Sequence, residues 1–333
     1  MRPSRYMAVL LGAMVLSTAL PGFADKDKKK DPDAIGERRV AHRSIISQEK
    51  EIAEGKRIAT EIDQSARMIK DPVVNEYVNR LAQNLGRNSD LTIPLTVKVL
   101  DDPALNAFAL PGGFLYVNSG LLLAADEEAQ VAGVLAHEIA HVAARHWASQ
   151  MTKATLLQYA LIPLIFTPMS YPVYVGAMQG LQIGIPLVFL KFSRSAEAEA
   201  DLLGLQYMYK AGYDPTAYVT FFSKIVEQDR RNPGSVAAIF ASHPPTPDRI
   251  LKSEENIKVI LPQREQYLVS TSEFEDVKSR LQSIMTTRKK GDKKEGPTLR
   301  KRDAADQTTG EVPEADQAKG KDDEKPPILR RRD

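Results

Sequence analysis

Two histidines four residues apart constrain this sequence more than any other feature does. His137 and His141 enclose the run His-Glu-Ile-Ala-His, and residues at this spacing on a helix project from one face, about one turn apart. Two imidazoles placed in this way can hold one metal ion. Glu138 borders the same face, where its carboxylate can handle a water molecule beside that ion. The run therefore predicts a helix that carries a metal site.

The flanking residues predict how far this helix extends. Asp126 is a suitable N-cap, and acidic residues follow it in the first turn, where the helix dipole favours negative charge. Between Val131 and Trp147 the only Gly or Pro is Gly133, so a continuous helix is expected. A row of small side chains beside the histidines would let a second helix approach closely: Ala136, Ala140 and Ala144. Without a third ligand, a buried helix with two hydrogen-bonded histidines would explain the run equally well.

A second run, Glu-Ala-Glu-Ala-Asp, offers that third ligand. Glu197 and Asp201 are four residues apart and share a helix face, whereas Glu199 points roughly the opposite way. A catalytic zinc ion takes three protein ligands and leaves one position for water. This run also has small neighbours, namely Ala196, Ala200 and Gly204. Two such helices could pack closely and direct their polar groups at one point, although a solvated acidic helix start is the simpler reading of this run in isolation.

With these motifs, the chain resembles metallopeptidase family forty-eight, whose members include the heat-shock protease HtpX and the CAAX prenyl proteases. Four runs match in the family's order: residues 106–113 (NAFALPGG), 137–141 (HEIAH), 197–201 (EAEAD) with Gly204, and 242–244 (SHP) with Arg249. The resemblance covers roughly residues 45–260. It implies an α+β fold, a mostly helical zincin-type peptidase with a small β-sheet beside the active-site helix.

The resemblance also implies roles for individual residues. One Zn²⁺ per chain would be held by His137, His141 and Glu197, so that Glu197 and not Glu199 is the third ligand. Glu138 would be the general base that accepts a proton from the zinc-bound water. Asp201 would support the ligands by orienting an imidazole through its other N–H. The sheet edge is implied to bind an extended peptide by strand addition through Asn106, Ala107, Phe108 and Ala109; an ordinary core hairpin is the alternative.

His243 and Arg249 depend on the resemblance more strongly. A His-Pro pair in a proline-rich loop is by itself more typical of a turn. The family, however, has a His near the zinc at this place and an Arg six residues later, which implies catalytic roles for both residues. His243 would either stabilise the oxyanion or cover the metal at rest. Thr246 and Pro247 fit the start of a helix that places Arg249 near His243.

The remaining elements follow from local patterns. Residues 95–100 alternate as a strand does, and residues 114–118 read as another strand after the turn at 111–113. A helix is expected over residues 46–62, and Asp71-Pro72 opens a further one. His146 and Arg145 are expected to support the fold or the ligands, and no role is expected for His42.

The N-terminus predicts export. Arg2 and Arg5 precede an apolar stretch, and Gly22 and Ala24 occupy the small-residue positions before a cleavage point. This is the pattern of a secretory signal peptide over residues 1–24; an uncleaved membrane anchor is the alternative. With no Cys, the exported fold needs no disulfide. The style of the signal peptide suggests export to a bacterial periplasm. After it we expect a charged linker over residues 25–45, a peptidase domain over 46–285 and a disordered charged tail over 286–333.

Two segments suggest further contacts. Residues 156–192 are apolar but interrupted by four prolines, so paired helices near the cleft or a peripheral membrane contact are expected in place of a membrane span. The tail repeats a short pattern, at 297–303 and 327–333, which makes a tail-binding partner plausible. The net charge of +2 gives no indication of nucleic-acid binding.

Three functions compete at this point. The favoured one is an exported zinc endopeptidase that hydrolyses misfolded, unfolded or membrane-associated envelope proteins in protein quality control. The second is a zinc-bound periplasmic chaperone or adaptor with little proteolysis, against which the intact Glu138 and Glu197 argue. The third is a membrane-remodelling or scaffold protein built on the apolar segment and the tail.

Overall fold

The structure, a computed structural model, describes residues 28–165, 192–231, 243–244 and 246–292, with side chains from 161 to 165 and from 288 onward excluded. The predicted signal peptide, most of the predicted tail and residues 166–191 of the apolar segment lie outside this range. By compactness the chain divides into Met1–Lys289 and Lys290–Asp333. Every element below lies in the first unit except the last three residues of the final helix.

The described elements are mostly helical, with one small sheet. The helices are α1 (Gln48–Ser65), α2 (Pro72–Arg87), α3 (Ser119–Ala124), α4 (Glu128–Ala143), α5 (His146–Ile165), α6 (Arg194–Lys210), α7 (Thr216–Arg231), α8 (Pro247–Ile260) and α9 (Ser272–Asp292). The strands are β1 (Thr96–Leu100), β2 (Ala107–Leu110) and β3 (Phe114–Asn118), and a 3₁₀ turn covers Pro32–Ala34. The expected α+β class is confirmed.

The sheet has the order β1-β3-β2. β1 pairs with β3 in parallel and β2 pairs with β3 antiparallel. The predicted strand 114–118 is confirmed at both ends, and the strand predicted over 95–100 begins one residue later, at Thr96. β3 is therefore the central strand and β2 lies at an edge. In agreement with its central position, β3 is buried from Leu115 onward.

Helix starts that the sequence marks clearly are found where they were expected. Asp71 caps α2 by accepting a hydrogen bond from the Val74 N–H, and Pro72 is the first helical residue. Thr246 caps α8 in the same way, with its hydroxyl accepting from the Arg249 N–H. Both starts combine an N-cap oxygen with a proline that has no N–H to leave unsatisfied.

The fold is built around α4, in which every residue from Glu128 to Ala143 is buried. α6 packs tightly on it where Gly204 meets His137. A Cβ added at Gly204 would lie 3.1 Å from the backbone nitrogen of His137, so the contact depends on the missing side chain. The expectation that small residues let these two helices approach closely is confirmed.

Two expectations about α4 are wrong. Its N-cap is Glu127 and not Asp126, and Glu127 makes no side-chain capping bond. The Asp126 carboxylate instead lies 2.6 Å from the Lys224 ammonium. The helix also ends at Ala143, and Arg145 has a φ of 55° before α5 begins. Arg145 is held there by Glu51, whose Oε2 accepts from Arg145 Nε at 2.8 Å. This distant contact stabilises a left-handed backbone that no Gly or Asn indicates.

Part of the predicted charged linker, residues 25–45, packs on the core. Arg38 is buried, and its guanidinium pairs with Asp90 at 2.9 Å, where both side chains are almost fully buried. Arg38 also donates to Gln206 on α6 at 2.6 Å. This segment therefore lies against the same helix that carries Glu197.

The described part of the apolar segment consists of the C-terminal half of α5 and of Phe192. Leu156, Leu157 and Tyr159 are more than half exposed there. No helix in the described ranges combines the length and the apolar character that crossing a bilayer requires.

Candidate metal centre

Helices α4 and α6 bring the three predicted ligands to one point. His137 Nε2 and His141 Nε2 lie 3.1 Å apart, and the two carboxylate oxygens of Glu197 lie 3.6 Å from them, Oε2 from His137 and Oε1 from His141. Metal–ligand bonds of about 2.0–2.1 Å in a tetrahedron place ligand atoms roughly 3.3 Å apart. The observed spacing therefore suits one ion bound by three ligands.

Glu197 gives a second indication that a cation fits here. Its Oε2 is buried and accepts no hydrogen bond, although Arg249 Nη1 lies 2.9 Å away as an ion-pair partner. A buried carboxylate oxygen that accepts no hydrogen bond is costly. Two neutral nitrogens and one anionic oxygen are also the donor set of many catalytic zinc sites.

His243 belongs to the same cluster. Its Nδ1 lies 2.8 Å from Glu197 Oε1, and one ligand atom from each of His137, His141, Glu197 and His243 falls within 4.8 Å of the others. The side chain is buried. The structure thus places His243 among the ligands, as a residue that covers the metal would be placed.

The Nδ1 atom of His137, which faces away from the other ligands, contacts a second group of polar side chains. His137 Nδ1 lies 3.1 Å from Asp201 Oδ1 and 3.2 Å from the Tyr218 hydroxyl, which donates to the same carboxylate. Arg249 completes the group through two contacts with Asp201. Asp201 therefore sits where the predicted supporting role requires. Tyr218 was missed, because nothing in its surrounding sequence on α7 indicates a polar contact 81 residues away.

His141 is supported by a different group. Its Nδ1 lies 2.9 Å from His146 Nδ1, and His146 Nε2 in turn lies 3.3 Å from Glu199 Oε2. Glu199 also contacts His42, for which the sequence predicted no role, at 2.7 Å. Glu197 and Glu199 thus lie on opposite sides of the histidines, in agreement with the expected orientation of Glu199 away from the metal.

Glu138 lies between the ligands and the sheet. Its Oε2 accepts a hydrogen bond from the Ala109 N–H at 3.1 Å, and its Oε1 lies 3.9 Å from His243 Nε2. The side chain is buried. The carboxylate is therefore oriented by the backbone of β2, beside the point at which the ligand atoms converge.

The four residues predicted to bind a peptide differ in the direction and the exposure of their backbone N–H and carbonyl groups. Asn106 accepts from the Asn118 N–H at 2.9 Å, and bonded pairs alternate along an antiparallel ladder. The peptide groups of Asn106 and Phe108 consequently face β3, while those of Ala107 and Ala109 face away. Ala107 is buried and Ala109 only partly so. The accessible edge group is therefore the one at Ala109.

The surroundings shift the pKa values of the side chains at the centre in different directions. Burial lowers the pKa of His141 well below its ordinary value, so its imidazole is neutral. Burial alone would also lower the pKa of His137, but Asp201 and Glu197 raise it to about 9. For Glu197, interactions with His137 and His243 outweigh burial and hold its pKa below the usual range. The cluster thus keeps its carboxylates ionised, as metal ligands must be.

The chain is similar in sequence to several known proteins. The chain is 29% identical over 262 residues to the beta-barrel assembly-enhancing protease of Escherichia coli K12, covering 77% of this chain and 53% of that protein. It is 33% identical over 180 residues to the mitochondrial metalloendopeptidase OMA1 of Schizosaccharomyces pombe, covering 54% and 52%. OMA1 of Arabidopsis thaliana is 39% identical over 129 residues, covering 39% and 25%. The chain spans about half the length of the first two relatives.

Peptidase family M48 matches residues 69–256. This range is more than half of the chain, and it contains His137, His141, Glu197, Asp201 and Arg249. The chain therefore belongs to peptidase family M48, a family of metallopeptidases.

Proposed function

We propose that this chain is an exported zinc-dependent endopeptidase that hydrolyses peptide bonds in misfolded or envelope proteins of a bacterium. The observation that carries this proposal is the convergence of His137 Nε2, His141 Nε2 and Glu197 beside the buried carboxylate of Glu138. A merely structural site closes its coordination sphere with protein ligands and needs no general base. The names of the relatives, a protease and two metalloendopeptidases, support a proteolytic role.

Glu138 is the proposed general base. Zinc held by His137, His141 and Glu197 would lower the pKa of a water molecule to roughly 7 and polarise the scissile carbonyl. Glu138 would accept the proton from that water and later donate it to the leaving amine. The Ala109 N–H fixes one carboxylate oxygen, which leaves the other oxygen free to take the proton.

The edge of β2 is the proposed binding site for the substrate backbone. The carbonyl of Ala109 faces away from β3, whereas its N–H is already bound to Glu138. An extended peptide added at this edge would pair with that carbonyl and run past Glu138. Backbone pairing does not depend on substrate side chains, which suits an enzyme that acts on many unfolded proteins.

Location and partners are part of the proposal. The predicted signal peptide supports a periplasmic location, and the relatives named for β-barrel assembly support substrates in the bacterial envelope. The exposed apolar residues of α5 support a peripheral contact with membranes or with membrane-associated substrates. The repeated tail pattern remains a candidate for binding a further protein.

A Glu138→Gln variant tests this function. The variant keeps the shape of the side chain and should bind zinc normally, while cleavage of casein falls by about 10²–10⁴-fold. Glu265→Gln, at an exposed position, is the matched control and should cleave as the wild type does. Equal cleavage by Glu138→Gln and wild type would overturn the assigned base.

The same pair of variants separates the peptidase from the alternative chaperone or adaptor. A chaperone would suppress aggregation of unfolded casein equally well with Glu138→Gln, and the wild type would release no fragments. Comparison of the envelope proteome in cells that carry either form then identifies the natural substrates, because these proteins accumulate uncut when the base is lost.

A further inference from the structure

A second group of metal-ligand side chains lies outside the centre described above. His42 Nε2 is 2.7 Å from Glu199 Oε2, and His146 Nε2 is 3.3 Å from the same oxygen. The three ligand atoms all lie within 4.8 Å of one another. The group joins three parts of the chain that are distant in sequence: the segment before α1, the start of α5, and α6.

The chemistry of this group suits a divalent transition metal. Two imidazoles and one carboxylate form a common donor set for zinc and cobalt. The group opens onto a cavity of about 270 Å³, and the side chain of His42 is 38% exposed, so an ion can enter and His42 can adjust. Lys29 occupies only the other carboxylate oxygen, Glu199 Oε1, at 2.8 Å. The positive charge of Lys29 lowers the affinity for a cation here, so we expect this site to bind metal more weakly than the first site does.

His146 connects the two sites. His141 presents Nε2 to the first site, so its Nδ1 retains the proton and donates to His146 Nδ1 at 2.9 Å. His146 must then carry its own proton on Nε2 and donate it to Glu199. A metal bound at His146 Nε2 needs the lone pair on that atom. The proton of His146 would move to Nδ1, where it would face the N–H of His141.

We propose that His42, His146 and Glu199 form a second divalent-metal site whose occupation weakens the first. Two N–H groups facing each other replace the hydrogen bond that orients His141. Loss of such a supporting bond to a metal ligand typically lowers metal affinity or activity by about 10–100-fold, and the coupling acts equally in both directions. The antagonism, though not the second site itself, rests on the proposed peptidase function.

The metal count tests the second site without any activity measurement. The metal-free protein is titrated with Co²⁺, and bound cobalt is counted by equilibrium dialysis and by its visible absorption. The wild type should bind two ions with distinct affinities, and His42→Ala should bind only the tighter one. Ser149→Ala lies in the same cavity without supplying a ligand and should still bind two. One ion on the wild type, or two on His42→Ala, would overturn the site.

Zinc titration of activity tests the antagonism. Casein cleavage by the wild type should rise to one equivalent of zinc and fall about 10-fold or more as the second ion binds, while cleavage by His42→Ala, whatever its level at one equivalent, should not fall in excess zinc. Equal cleavage by the wild type with one and two bound ions would overturn the antagonism. Absence of cleavage at every zinc level would instead contradict the proposed peptidase function, and the cobalt count would still decide the second site.

Discussion

Arg249 contacts both carboxylate oxygens of Asp201, with Nε 2.8 Å from Oδ2 and Nη2 2.6 Å from Oδ1. Asp201 in turn contacts the nitrogen of His137 that faces away from the metal ligands. Consecutive contacts thus link Arg249, Asp201 and His137, which come from three separate parts of the chain. Arg249 acts on the centre through these contacts, and also through its ion pair with Glu197.

Replacement of Arg249 by Lys should therefore weaken metal binding while the charge is kept. A lysine ammonium cannot reproduce the two parallel bonds of the guanidinium, and loss of such support typically reduces metal affinity by about 10–100-fold. The measurement is zinc affinity by competition with a chelating indicator. Arg280→Lys is the control, because Arg280 also contacts a carboxylate, that of Asp71, through both Nε and Nη2 at the surface. If Arg249→Lys lowers only the melting temperature, the pair with Asp201 is purely structural.

Removal of the His243 side chain should raise activity. In the structure His243 Nδ1 lies 2.8 Å from Glu197 Oε1, so His243→Ala should free a coordination position for water and substrate. The measurement is casein cleavage and zinc content on the same preparation. Thr246→Ala is the control, because it should cost only the roughly 1 kcal/mol of a lost N-cap. A loss of turnover by about 10²-fold would show instead that His243 stabilises the oxyanion. Unchanged turnover with lower stability would show that His243 only shapes a turn.

Gly204→Ala tests the close contact between α4 and α6. A glycine in a helix normally gains stability when replaced by alanine, but here the new Cβ would meet backbone atoms of His137 at 3.1 and 3.2 Å. Backbone cannot move as a side chain can, so the variant should lose about 1–3 kcal/mol in the free energy of unfolding. Denaturant unfolding measures this loss. Ala198→Ser, at an exposed position of the same helix, should stay within about 0.5 kcal/mol of the wild type. A stabilised Gly204→Ala would show that the helices can separate freely.

Metal binding should release a proton in neutral solution. The metal-free protein keeps His137 protonated, since its pKa is raised to about 9, whereas His141 is already neutral. The ion must displace that proton, so affinity should rise about tenfold per pH unit from neutral pH toward pH 9. Calorimetry in buffers of different ionisation enthalpy counts the protons. Asp201→Asn removes the strongest cause of the raised pKa and should reduce the release. No release at pH 7.5 from the wild type would contradict the raised pKa.

Much of the centre follows from local rules. The spacing of His137 and His141 places both on one helix face wherever that helix lies, and the same holds for Glu197 and Asp201. The helix starts at Asp71-Pro72 and Thr246-Pro247 are equally local, because the cap and the proline act within one turn. These features were predictable since the atoms involved are close in sequence.

The break after α4 was not predictable in this way. The residues from Val131 to Trp147 favour one helix, yet the chain turns at Arg145 because Glu51 and the carbonyl of Ile46 bind its guanidinium. This turn brings His146 back against His141. A position that depends on residues about a hundred places earlier cannot be read from helical periodicity.

The sequence, together with its family resemblance, predicted the kind of centre and the residues proposed as its ligands and its base, because ligand chemistry and helical spacing are properties of short segments. Tertiary structure alone decided what surrounds them: Tyr218 behind His137, Ala109 against Glu138, and His42 beside His146 and Glu199. Each of these contacts joins segments that are brought together by burial of apolar surface. Burial is non-directional, so it specifies such pairs only once the whole core has packed.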